Sequence, residues 1–182
     1  TTRRELDISF RAGTALWGHM GVEFDLLSAP EPERRALASF IALHKRLRPL
    51  LHSGVLVHAD LDEDEPLRIQ GVVAADGSDA LYEIAALGQP LSWPAAPRPL
   101  PGLDPARTYH VRLETPLGEE LRYGAPWTRP EGVVLPGAYL SATGLSLPSI
   151  HPDHLLLVRA TALGPDRAPA IRAHSTANGG SS

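Results

Sequence analysis

Cysteine is absent from the 182 residues, which removes disulfides, zinc–thiolate centres and thiol catalysis together. Basic residues are also few: Lys+Arg number 17 against 21 Asp+Glu, a formal net charge of −4. A domain of that balance lacks the basic face that phosphate neutralisation requires, so no nucleic-acid partner is expected. No apolar run approaches the eighteen or so residues of a membrane span, and no membrane partner is expected either. The opening Thr1-Thr2-Arg3-Arg4-Glu5 has no apolar segment behind its basic pair and does not read as a signal peptide. The expectation is a chain that begins partway through a longer, cytoplasmic polypeptide.

What is present is core-forming material: 43% of the residues are hydrophobic and 21% charged, outside the range of a disordered chain. Proline (18) and glycine (16) lie mostly beyond residue 50. That distribution predicts a helical head and a turn-rich β body. In the head, Leu6, Phe10, Gly13, Leu16, Trp17 and Met20 recur with helical period, and Gly21 can end the helix. A second helix is expected from about Pro30 to Leu51. Ser28 is its candidate cap, Glu31 and Glu33 lie at its positive end, Pro49 should kink its last turn, and Gly54 closes it. The apolar stripe of this second helix is Leu37, Phe40, Ile41, Leu43, Leu47 and Leu51. Two such stripes need a further surface to pack on.

Beyond Val55, strands are predicted at 55–59, 67–75, 80–87, 108–114 and 154–163, with short candidates at 133–135 and 138–140. Gly/Pro turns at ten- to twenty-residue spacing suggest an antiparallel β-sandwich. The Pro-rich stretch 89–101 is excluded from a central strand. Residues 164–182 lack pattern and read as a flexible tail.

No catalytic constellation assembles from residue types and spacing. The acidic run Asp60, Asp62, Glu63, Asp64 and Glu65 lacks the glycine and the distal glutamate of a calcium loop, so a solvated loop is the stronger reading. His151-Pro152-Asp153-His154 is a turn before the last strand rather than a metal pair, because proline blocks the helical turn that would join the imidazoles. His19 and His44 sit beside apolar helix faces and read as core or boundary histidines. No Gly-x-Ser-x-Gly elbow and no glycine-rich phosphate loop ahead of a helix occurs. Trp93 and Trp127, with Tyr139, could form a sugar-stacking platform, although packing under a long loop is the plainer reading of both indoles.

Four segments carry a resemblance. Asp7–Leu26, opening Asp7-Ile8-Ser9-Phe10-Arg11 and ending Gly21-Val22-Glu23-Phe24-Asp25-Leu26, resembles bacterial α-galactosidases of glycoside hydrolase family 36. The helix end Leu43-His44-Lys45-Arg46-Leu47-Arg48, the turn Leu100-Pro101-Gly102-Leu103-Asp104-Pro105 and the stretch Gly137–Pro148 agree in order. The resemblance implies the C-terminal part of such an enzyme: a mainly β chain whose C-terminal antiparallel β-sandwich follows two α-helices completing an upstream (β/α)₈ barrel.

It divides the chain into 1–54, the last barrel helices; 55–163, the sandwich; and 164–182, the tail. Family members hydrolyse terminal α-linked galactose with retention, through a nucleophilic carboxylate and an acid/base carboxylate. Both come from barrel strands, so no catalytic role passes to Asp25, Asp60 or any other acid here. The implied partners are the upstream barrel and, through the parent enzyme, a galactoside; a homo-oligomer is compatible with it. No cofactor and no metal are implied. Without the barrel, Leu16, Trp17, Phe40 and Ile41 are expected as an exposed apolar patch. The competing reading is a carbohydrate-binding β-sandwich module without catalysis.

Overall fold

The computed structural model describes residues 8–17, 25, 27–62, 64–88, 96–114 and 124–164. Helix α1 (Ile8–Ala15) and helix α2 (Glu31–Ser53) come first. Strands β1 (Val55–His58), β2 (Leu67–Val73), β3 (Asp79–Ala86), β4 (Thr108–Leu113), β5 (Val133–Pro136) and β6 (His154–Ala162) follow. A 3₁₀ turn at Pro126–Thr128 and a short helix α3 (Gly137–Ala142) precede β6.

The strands join in one antiparallel sheet of order β1-β2-β3-β6-β4-β5. The last strand therefore enters the middle, with Glu83 of β3 opposite Leu157 and Arg112 of β4 opposite Arg159. Central position explains composition: Ala80 to Ala86 and Leu155 to Val158 are buried throughout, as strands covered on both faces must be.

Strand alternation sends alternate side chains to two cores. On one face Tyr82, Ile84, Tyr109, Leu156 and Val158 pack under a layer of loops and α3 that contributes Leu100, Leu103, Trp127, Leu140, Leu145 and Ile150. This layer is stitched by backbone and side-chain bonds. Arg98 and Leu145 exchange N–H···O bonds of 2.9 Å, and the Tyr82 hydroxyl donates to the Pro101 carbonyl at 2.6 Å. Gly144 has φ +84, and a Cβ there would land on the Arg98 carbonyl, so only glycine suits this bridge. The mainly β, antiparallel class expected from the sequence holds, with loops and α3 as the layer opposing the sheet.

On the other face Leu81, Ala85, Leu155 and Leu157 receive Ala12 and Leu16 of the α1 segment and Phe40, Leu43 and Leu47 of α2. The expected exposed patch is thus corrected. Leu16 and Phe40 are buried and Ile41 and Trp17 half-buried, because β3 and β6 present a second apolar face that sequence periodicity alone does not reveal. Helix α1 comes so close that a Cβ on Gly13 would stand 2.7 Å from the Leu155 methyls.

Local details differ from expectation in three places. Pro30, not Ser28, is the cap of α2; Ser28 N–H and hydroxyl instead bond Asp25. Pro49 is held within α2, which runs on to Ser53 and ends with Gly54 N–H donating to the Leu50 carbonyl. The expected strand at 138–140 is part of α3, where Pro136 caps the helix start and buried Leu140 accepts from Leu100 N–H. Gly21 and the tail beyond 164 lie outside the described residues.

Candidate functional site

The acidic run of 60–65 does not converge. Asp60, Asp62 and Asp64 are exposed, and Glu65 is ion-paired with Arg98. Glu63 lies outside the described residues, among which no group of three potential ligands could hold a metal ion. His151 and His154 have ring centroids 6.0 Å apart at 63°, flanking a turn in which Asp153 has φ 61. The His154 Nδ1 is 2.9 Å from the Pro152 carbonyl, so the ring serves the turn. His44 stands half-buried on α2, its ring centroid 6.3 Å from that of His52; His19 is outside the described residues.

The sugar-stacking platform does not form around Trp127. Its indole is 2% exposed and donates Nε1–H to the Ser146 carbonyl at 2.8 Å, while Tyr139 on α3 is exposed. Trp93 is outside the described residues.

Among the described residues two acids are buried in the sheet's helix-facing side: Glu114, 1% exposed, and Glu83, 5% exposed. Sequence reading passed over both, although Glu83 is the lone acid in the otherwise apolar run 80–87, an available signal. Glu114 follows β4, with its N–H donating to the Leu157 carbonyl at 2.8 Å. Three guanidinium groups surround its carboxylate. Arg46 of α2 contacts Oε1, Arg112 lies 3.1 Å and Arg159 3.7 Å from Oε2. Arg159 also grips Asp79 through two bonds of 3.1 and 2.8 Å, and these hold its proton more firmly. The network ties α2 to three strands.

Glu83 has no such compensation among the described residues. Its hydrogen bonds come from the Trp17 indole N–H and, at 3.5 Å, from the Gln70 amide, both to Oε2. Burial pushes its pKa up, and the two donors pull the other way. Glu83 lines a groove of about 570 Å³ together with Phe10, Thr14, His58, Asp60, Asp62 and Arg68.

A retaining glycosidase needs two carboxyl groups about 5–5.5 Å apart across the scissile bond. Glu83 and Glu114 instead flank Leu157 on neighbouring strands, two strand spacings or about 10 Å apart at the backbone. The buried Leu157 side chain fills the space between them. Glu114 is neutralised under α2, and Glu83 has no second acid at bonding distance among the described residues. The pair braces the fold and encloses no site for a sugar ring.

No family model matches the chain. It is 34% identical to an α-galactosidase of Escherichia coli over 166 residues, 86% of this chain and 23% of that protein. It is also 28% identical over 111 residues to a probable α-galactosidase C of Aspergillus flavus, 60% of this chain and 15% of that one. A solved family 36 α-galactosidase of Geobacillus stearothermophilus superposes with TM-score 0.73 at 22% identity, over 90% of this chain and 20% of that one. The α-galactosidase of Lactobacillus brevis gives TM-score 0.72 at 21% identity, over 88% and 20%. The chain thus spans about a quarter of the curated bacterial relative and a fifth of these structures. By sequence the chain is similar to a part of the E. coli α-galactosidase, and by fold to a part of the glycoside hydrolase family 36 α-galactosidases.

Proposed function

We propose that this chain is the C-terminal segment of a retaining α-galactosidase, bracing a catalytic barrel that lies upstream. The observation that carries the reading is the pairing of a 34%-identical α-galactosidase, four times longer, with buried acids engaged in helix–sheet contacts here. In the parent enzyme the substrate is a terminal α-linked galactose, and both catalytic carboxylates come from the upstream barrel.

Residues 1–54 continue from that barrel, 55–163 form the C-terminal domain and 164–182 the tail. The sheet occupies the inner faces of α1 and α2, so their outer positions, Arg11, Ala15, Ala38, Ala42 and Lys45, are those left for the barrel. A cytoplasmic location belongs to the same proposal and is read by cell fractionation. No helix among the described residues is long and apolar enough to cross a membrane.

Reconstitution tests the reading. The upstream segment of the parent, expressed separately, should bind this chain and hydrolyse a chromogenic α-galactoside better with it than without it. An upstream segment that is fully active and stable alone, with no affinity for this chain, overturns the bracing role.

A further inference from the structure

We propose that Glu83 and Trp17 form a proton-operated latch that holds α1 on the sheet, closed when Glu83 carries a proton and loosened when it ionises. The two buried acids of this face make the case by contrast. Glu114 is ringed by Arg46, Arg112 and Arg159, so its charge is repaid in place. Among the described residues Glu83 meets only neutral donors, the Trp17 indole and the Gln70 amide.

None of the groove's other charged groups among the described residues bonds Glu83. Arg68 spends its Nη1 on the carbonyls of Glu65 and Leu67, at 2.8 Å each. His58 belongs to the exposed edge strand β1. Asp60 and Asp62 line the same groove and oppose a further negative charge. From α1 come Phe10 and Thr14, from β2 Ile69 and Gln70, and from β3 Ala85, none of them charged. On the neighbouring strand β6, Leu157 stands directly opposite.

A carboxylate buried there without a cationic partner is destabilised relative to one in water. The least costly relief is local: the end of α1 lifts, Trp17 withdraws, and water from the groove reaches Glu83. Helix α1 has eight residues, too few to be stable by itself. It is seated by Ala12 and Leu16, with Phe10 and Trp17 packed beside them, and the Trp17–Glu83 bond ties the end of the segment to β3.

The sign follows from burial. The docked state keeps the Glu83 proton to higher pH than the released state does. Docking is thus complete below the ordinary glutamate range and weakens as pH rises through the raised value.

The experiment follows the Trp17 indole ¹⁵N–¹H resonance and the Glu83 side-chain carboxyl ¹³C shift of the whole chain across a pH titration, with Trp17→Phe assigning the indole signal. Both should titrate together, with one midpoint above the ordinary glutamate range. Amide exchange over residues 10–17, corrected for intrinsic rates, should rise at least tenfold across it. Glu83→Gln should leave the indole signal flat and the helix protected throughout. A Glu83 midpoint within the ordinary range, an indole signal that ignores the Glu83 transition, or the same titration in Glu83→Gln overturns the latch. The carboxyl measurement needs no variant, so misfolding of Glu83→Gln would not spare the proposal.

Discussion

Glu114→Ala should cost the chain about 2–4 kcal/mol, more than any other single charge removal in the network. The carboxylate is the hub: 1% exposed, with Arg46, Arg112 and Arg159 converging on it. Its loss leaves guanidinium groups from α2, β4 and β6 facing one another over a vacated space. Arg46 is half exposed, so Arg46→Ala should cost no more than about 1 kcal/mol. Arg159→Ala should fall between, since it strands both Glu114 and Asp79 but leaves Arg46 and Arg112 on the hub. Urea denaturation with unchanged m-values gives the order directly. Equal costs for Glu114→Ala and Arg46→Ala would mean that the cluster is ordinary surface pairing.

Trp127→Ala should cost about 3–5 kcal/mol, the range for truncating a buried large aromatic. The ring packs in the loop-side core and its N–H bonds the Ser146 carbonyl. Trp127→Phe keeps most of the apolar volume and loses that bond, so about 1 kcal/mol is expected. Thermal melts of the two variants separate a packing role from a recognition role. A Trp127→Ala chain as stable as the parent chain, with weakened oligosaccharide binding, would restore the stacking platform.

Apart from 138–140, which is part of α3, the strand positions were legible in the sequence because alternation and turn chemistry are local. The hairpin around Gly77 illustrates this: its φ of +68 and the Asp76–Ser78 bonds are what Asp-Gly-Ser predicts. Strand order was not legible. Nothing local tells β6 to enter between β3 and β4, and that insertion creates the doubly buried face on which α1 and α2 rest. Missing that face, sequence reasoning sought the partner of Leu16 and Phe40 outside the chain.

The site followed the same division. The acidic run stands out by count yet stays in solvent, apart from Glu65 with Arg98. Glu83 and Glu114 are single acids among apolar or mixed neighbours, and only sheet register shows that they share a face. The exposed Val55 and Leu56 of β1 follow from its place at the sheet edge, which composition does not disclose.

The central claim is that this chain supports an α-galactosidase without carrying its chemistry. Turnover of a chromogenic α-galactoside by the purified chain, freed of host enzyme, tests it most directly. The account predicts no hydrolysis above the uncatalysed rate at any pH. Sustained turnover that follows the chain through purification, and falls in Glu83→Gln, would contradict it and place catalysis in the groove beside α1.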